Sequence, residues 1–193
     1  MRAAFIYGLG GLLLAATALA QDPVEGDAAA GKNVAGQCRT CHGIDGYAKI
    51  PIAPHIGGEP APYIRSQLTA FRDGTRTHEM MSVVAKMLTD QQIADVAAWY
   101  SSHTATATLT ADASGAPEAC VACHGVDGIA VIEEAPNLAG ETNIYIDTQL
   151  KAFRLGKRTH EVMSAVAADM TDAEIRAVAD WYGSVKLDIK MAD

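Results

Sequence analysis

Two short stretches carry the reactive side chains of this sequence: Cys38-Arg39-Thr40-Cys41-His42 and Cys120-Val121-Ala122-Cys123-His124. In each, two thiols three residues apart share one helical turn, and a histidine follows directly. This is a c-type haem attachment pattern. The thiols can each bond to one of the two vinyl groups on a haem edge, and the histidine then lies under the iron. Two other chemistries compete for the same residues. A redox disulfide of the thioredoxin kind needs a βαβ setting, and no stretch here alternates convincingly like a strand. A zinc site drawing on both pairs would pull together two segments that otherwise look self-contained. The motif stands twice, at matching places. It predicts two covalently bound haem c groups on Cys38, Cys41, Cys120 and Cys123, with His42 and His124 on the irons. That use consumes every cysteine in the chain.

A second axial ligand must come from elsewhere. Met80, Met81, Met87, Met163, Met170, His78 and His160 are the candidates. Comparing the two halves separates the methionines. Met81 maps onto Met163, whereas Met80 maps onto Val162, Met87 onto Asp169 and Met170 onto Leu88. If both irons are held alike, only Met81 and Met163 are available to both, and Met80, Met87 and Met170 read as core filler. His78 and His160 also repeat, so a bis-histidine site stays open on this reasoning. His55 and His103 have no histidine mate and read as surface residues.

The elements that must hold these groups are duplicated. Shifted by 82 positions, the sequence matches itself without a gap, and more than half of the positions from Cys38 to Ser102 are identical to their mates. A long period present only twice means a duplicated small domain, not a solenoid. Tyr63, Ile64, Gln67, Leu68 and Phe71 have helical spacing, with Gly74 as a stop. Thr89 and Gln92 form a capping box before the apolar stripe Ile93, Val96, Ala97, Tyr100. Thr171, Glu174, Ile175, Val178, Ala179 and Tyr182 repeat that arrangement. Residues 27–36 predict a further helix, shortened in the second copy by Gly115 and Pro117. The stretch 104–117 is small, polar and non-periodic, and reads as a linker. The expected organisation is a signal over 1–20, a first domain over 21–103, that linker, and a second domain over 118–193.

Composition narrows the function. The chain has 193 residues, 49% hydrophobic, with a formal net charge of -8, which disfavours nucleic acid as a partner. Aromatics are only 6%, so two small cores need another apolar body, and a haem in each supplies one. Residues 1–20 read as a secretory signal: Arg2, an apolar run, then the small-x-small site Ala18-Leu19-Ala20 before Gln21. This predicts export to the periplasm, with no stable membrane insertion after cleavage.

With these motifs in place the chain resembles a known family. C-x-x-C-H-G, then Ala53-Pro54, then Tyr63-Ile64-x-x-Gln67-Leu68-x-x-Phe71-Arg72-x-Gly74, then Met81, then a Leu-Thr-Asp helix start, all in duplicate, look like the dihaem cytochrome c4 family. The cytochrome subunit of flavocytochrome c sulfide dehydrogenase has a similar plan. The resemblance implies an all-α fold of two tandem class I cytochrome c domains, each wrapped around one covalent haem. It implies axial pairs His42–Met81 and His124–Met163, and carbonyls of Pro54 and Pro136 accepting from the two histidines. The chain departs from the usual pattern in carrying His78 and His160 before the methionines, and Trp99 and Trp181 in the last helices. The function implied is single-electron transfer to and from redox proteins, whether a respiratory complex, a terminal oxidase or a flavoprotein subunit. The alternative is the electron-accepting subunit of a sulfide- or sulfur-oxidising flavoprotein. A dihaem peroxidase would need one open iron, and the matched ligand sets of the two copies argue against it.

Overall fold

The Asp27 carboxylate accepts from the N–H groups of Ala29 and Ala30 and so starts the first helix, α1 (Ala28–Ala35). The structure is a computed structural model that describes residues 24–192; the expected signal and Gln21 lie outside the described residues. After α1 come α2 (Arg39–His42), α3 (Ala61–Asp73), α4 (Met81–Lys86) and α5 (Asp90–Ser101). Gly74 ends α3 in the left-handed region at φ 82°, and the Thr89–Gln92 capping box starts α5 with both reciprocal bonds formed. Helix α1 crosses α5 at Gly31. A β-carbon there would lie 2.0 Å from the Asp95 carbonyl oxygen, so only glycine permits this approach. Val34, Ala35, Ile64, Ile93, Val96 and Tyr100 close the first core.

The chain then runs through β1 (Thr104–Thr108) and a 3-10 turn (Ala113–Gly115) into α6 (Glu118–His124). Helices α7 (Asn143–Arg154), α8 (Glu161–Ala168) and α9 (Asp172–Ser184) follow, and β2 (Lys186–Lys190) ends the described chain. As expected, the second copy has no full counterpart of α1. The 3-10 turn takes that place, with Gly115 against the ring of Trp181. Ile146, Leu150, Ile175, Val178 and Tyr182 form the second core.

The stretch 104–117 differs from the expected irregular linker, and strands are present. β1 pairs antiparallel with β2, Ala105 opposite Ile189 and Ala107 opposite Leu187. The alternation escapes notice in the sequence because the inward residues of β1 are only alanines. They must be small. Ala105 sits directly on Gly58, Ile189 on Gly57 and Leu187 on Gly140, so the ribbon lies across matching glycines of both halves. Among the described residues no helix is long and apolar enough to cross a membrane.

Candidate haem sites

Each cysteine pair stands on the short helix that ends in its histidine, α2 or α6. All four thiols are unpaired and half-buried. Burial pushes the Cys38 thiol up to about 11 and also raises Cys120. A redox-active C-x-x-C needs a lowered thiol, so these are unsuited to disulfide exchange. Among the described residues no three His, Cys, Asp or Glu side chains converge as a metal cluster, so the two pairs do not assemble the joint site that shared zinc would need.

His42 and His124 are buried. The Nδ1 of His42 faces the Pro54 carbonyl oxygen at 2.9 Å, and the Nδ1 of His124 faces that of Pro136 at 2.8 Å. A carbonyl only accepts, so Nδ1 carries the proton, and Nε2 keeps its lone pair for a metal. Burial lowers both imidazoles' affinity for a second proton. Behind each motif a buried tyrosine fixes the turn: Tyr100 donates to the Gly43 carbonyl at 3.0 Å, and Tyr182 to that of Gly125 at 3.1 Å. Trp99 and Trp181 donate to the next carbonyls, Ile44 and Val126, both at 3.1 Å.

Met81 opens α4 and Met163 lies in the first turn of α8; both are half-buried. Met163 and Cys120 pack against the same core. His78 and His160 serve these helices. The His78 Nδ1 accepts from the N–H groups of Met80 and Met81, and the His160 Nδ1 accepts from that of Met163. Their own N–H groups donate to Ser82 and Ser164. Met80 and Met87 are 62% and 63% exposed and are therefore not core filler: the short α4 buries only one face, and they lie off it. Met170 does pack on the second core.

His55 and His103 are corrections as well, because both are buried. His103 packs edge-on against Trp99, with ring centres 4.7 Å apart. His55 joins the two halves. Its Nδ1 accepts from Ala48 N–H, so Nε2 carries the proton and donates to the Gly140 carbonyl at 3.0 Å. Its repeat mate Asn137 does the same with an amide: Oδ1 accepts from Ala130 N–H, and Nδ2 donates to the Gly58 carbonyl. Histidine and asparagine are interchangeable here because both offer one acceptor and one donor at similar spacing.

The same contact region holds a second duplicated network. Arg76 donates to Gln67 and to Gln149; Arg158 donates to Gln149 and to Gln67, at 2.6–2.9 Å. Tyr145 and Tyr63 receive the remaining guanidinium contacts, and burial pushes Tyr145 up to about 12. Each guanidinium lies over a phenylalanine of its own half, Phe71 or Phe153. The site residues named from the motifs did not include these or the buried pair Glu59 and Glu141. Identity at the 82-residue shift was the signal that could have found them, since Tyr63, Gln67, Arg76 and Glu59 all recur.

Each half thus offers two unpaired thiols on one helical turn, an imidazole with a free Nε2, and a thioether at the start of a short helix. A family model described as Cytochrome c matches residues 28–104 and again 114–186. Cytochrome c4 of Pseudomonas aeruginosa is 33% identical over 190 residues, covering 88% of this chain and 93% of that protein. A protein of Stutzerimonas stutzeri named thiosulfate dehydrogenase electron acceptor is 33% identical over 202 residues, covering 93% and 94%. The crystal structure of reduced recombinant cytochrome c4 from Pseudomonas stutzeri superposes with a TM-score of 0.73 at 27% identity, over 83% of this chain and all of that one. The chain belongs to the cytochrome c4 family, as two tandem cytochrome c domains of an electron-transfer cytochrome.

Proposed function

We propose that this protein is an exported, periplasmic carrier that holds one haem covalently in each domain and passes single electrons between respiratory redox proteins. Cys38 and Cys41 hold the first haem, with His42 and Met81 as axial ligands; Cys120, Cys123, His124 and Met163 do the same in the second domain. The domains span residues 21–103 and 118–193. A bound haem supplies a one-electron couple, and an iron with two protein ligands leaves no position for substrate. The remaining work falls to the chain. The Pro54 and Pro136 carbonyls orient the imidazoles, Tyr100 and Tyr182 pin the motif turns, and His78 and His160 cap the methionine helices. The observation that carries this reading is the twice-repeated buried histidine, held through Nδ1 directly after a thiol pair.

The weak near-infrared sulfur-to-iron band of the oxidised protein tests the ligand set. Met81→Ala and Met163→Ala should each remove about half of it, and Met80→Ala should leave it whole. Loss of the low-spin spectrum in His78→Ala, with the band unchanged in Met81→Ala, would refute the assignment.

A second reading has its own support: a relative of matching length is named an electron acceptor of thiosulfate dehydrogenase. On this reading the protein accepts electrons from a sulfur-compound dehydrogenase. Recovery of such a dehydrogenase with the native protein favours it, and recovery of the cytochrome alone favours the free carrier.

A further inference from the structure

The peptide bond between Pro54 and His55 is used at both ends. Its carbonyl oxygen faces the Nδ1 of His42 at 2.9 Å, and its N–H donates to Glu141 Oε1 at 2.8 Å. The peptide bond between Pro136 and Asn137 is used in the same way. Its carbonyl faces the Nδ1 of His124 at 2.8 Å, and its N–H donates to Glu59 Oε2 at 2.9 Å. Each proposed iron ligand is therefore one peptide unit away from a carboxyl group of the other domain. Glu59 and Glu141 are only 3% and 2% exposed, and Glu141 Oε2 has no hydrogen-bond partner. Such burial is costly for a carboxylate, and a fold that needed only a backbone cap could use a neutral side chain. We propose that the two glutamates are tuning residues wired crosswise: Glu141 sets the electron-donating strength of His42, and Glu59 that of His124.

The physical basis is polarisation along a hydrogen-bond chain. An ionised Glu141 draws the His55 N–H and makes the Pro54 carbonyl a stronger acceptor. His42 then gives up more of its Nδ1 proton and donates more strongly through Nε2. Stronger donation favours the oxidised iron and lowers the potential. A protonated Glu141 relaxes this. Burial raises both carboxyls well above the ordinary range, and Glu59 raises Glu141 further by its charge. The groups facing the pair are His55, held neutral by burial, and Tyr145, which feels the charge of Glu141. No lysine or arginine is among the causes of either shift, so no fixed cation holds the pair ionised. One electron from a partner redox protein would remove one positive charge from a bound iron, and the carboxyl pair would then take up one proton from solvent. Oxidation by a partner redox protein releases both.

The inference rests on His42 and His124 being iron ligands, so its test uses the haem-loaded protein. The two one-electron potentials are measured against pH for the native chain, Glu141→Gln and Glu59→Gln. Each domain is identified by the methionine variants described above. At a pH where the pair is ionised, Glu141→Gln should raise the first domain's potential more than the second's, and Glu59→Gln should do the reverse. Both effects should vanish at low pH, where the native carboxyls are protonated. The two carboxyls are close enough to interact, so a simple through-space charge effect would move both potentials together in either variant. That outcome, or no shift, overturns the proposal. A pH dependence of the first domain's potential that survives in Glu141→Gln, or of the second domain's that survives in Glu59→Gln, would belong to other groups such as the haem's own carboxylates and also overturns it. A measurement on the unmutated chain guards against variants that do not fold: during stepwise oxidation, the carboxyl carbon resonance of Glu141 should follow the first domain's iron and that of Glu59 the second's. If both follow the same step, the crosswise wiring is refuted. Absence of covalent haem or of a low-spin spectrum would instead refute the proposed function.

Discussion

The two buried tyrosines behind the haem motifs are a matched pair with one difference, and that difference predicts unequal stabilities. Tyr100→Phe removes the 3.0 Å bond to the Gly43 carbonyl, but that oxygen also accepts from the Gly46 N–H at 3.3 Å. Tyr182→Phe removes the 3.1 Å bond to the Gly125 carbonyl, and no other backbone donor among the described residues reaches that oxygen. Losing a bond while the acceptor stays satisfied costs about 1 kcal/mol, whereas stranding a buried carbonyl costs about 2 kcal/mol. Both hydroxyls are fully buried, so water does not substitute. Guanidinium unfolding of the oxidised protein, followed by tryptophan fluorescence, reads the difference. With a slope of roughly 3–4 kcal/mol per molar, the midpoint should fall by about 0.3 M for Tyr100→Phe and about 0.6 M for Tyr182→Phe. Equal losses, or a larger loss at Tyr100, would show that the number of donors on the acceptor does not set the cost.

Gly31→Val should destabilise the first domain by about 2–4 kcal/mol, because α1 must lift off α5 and expose Val34 and Ala35. Thermal unfolding should show a lowered first transition, with the second domain's haem spectrum unchanged. The two irons should titrate as separate steps, with the higher potential in the first domain. Arg39 and Lys49 lie near its motif where the second copy has Val121 and Val131, and the second motif is followed by Glu133 and Glu134. Lys49 is partly offset by Asp45 at 3.4 Å, so a redox titration showing two identical steps, or the reverse order, would refute the charge argument.

Much of the fold was legible because it is local or duplicated. The capping boxes at Thr89 and Thr171, the Gly74 stop and the shortened first helix of the second copy all follow from residues within one turn of the feature they explain. The thiol and histidine motifs were legible for the same reason. Two features that could not be read depend on contacts across the chain. His55 looked like a surface residue because its partners, Glu141 and Gly140, lie 85 or more positions away. β1 looked like a linker because Ala105 and Ala107 carry little apolar signal, and the strand they pair with, β2, lies some 80 positions further along the chain. His78 and His160 were legible as repeated residues, but not for the bonds their Nδ1 atoms accept at the starts of α4 and α8, since histidine is uncommon at helix N-termini.

Every proposed role depends on one haem being held in each domain by two thioether bonds. The direct measurement is the intact mass and haem stoichiometry of the purified protein, alongside a Cys120→Ala, Cys123→Ala double variant. Two haems per chain that resist acid-acetone extraction are expected, and one in the variant, retained by the first domain. Extractable haem, bound zinc, or a disulfide within either C-x-x-C pair would contradict it.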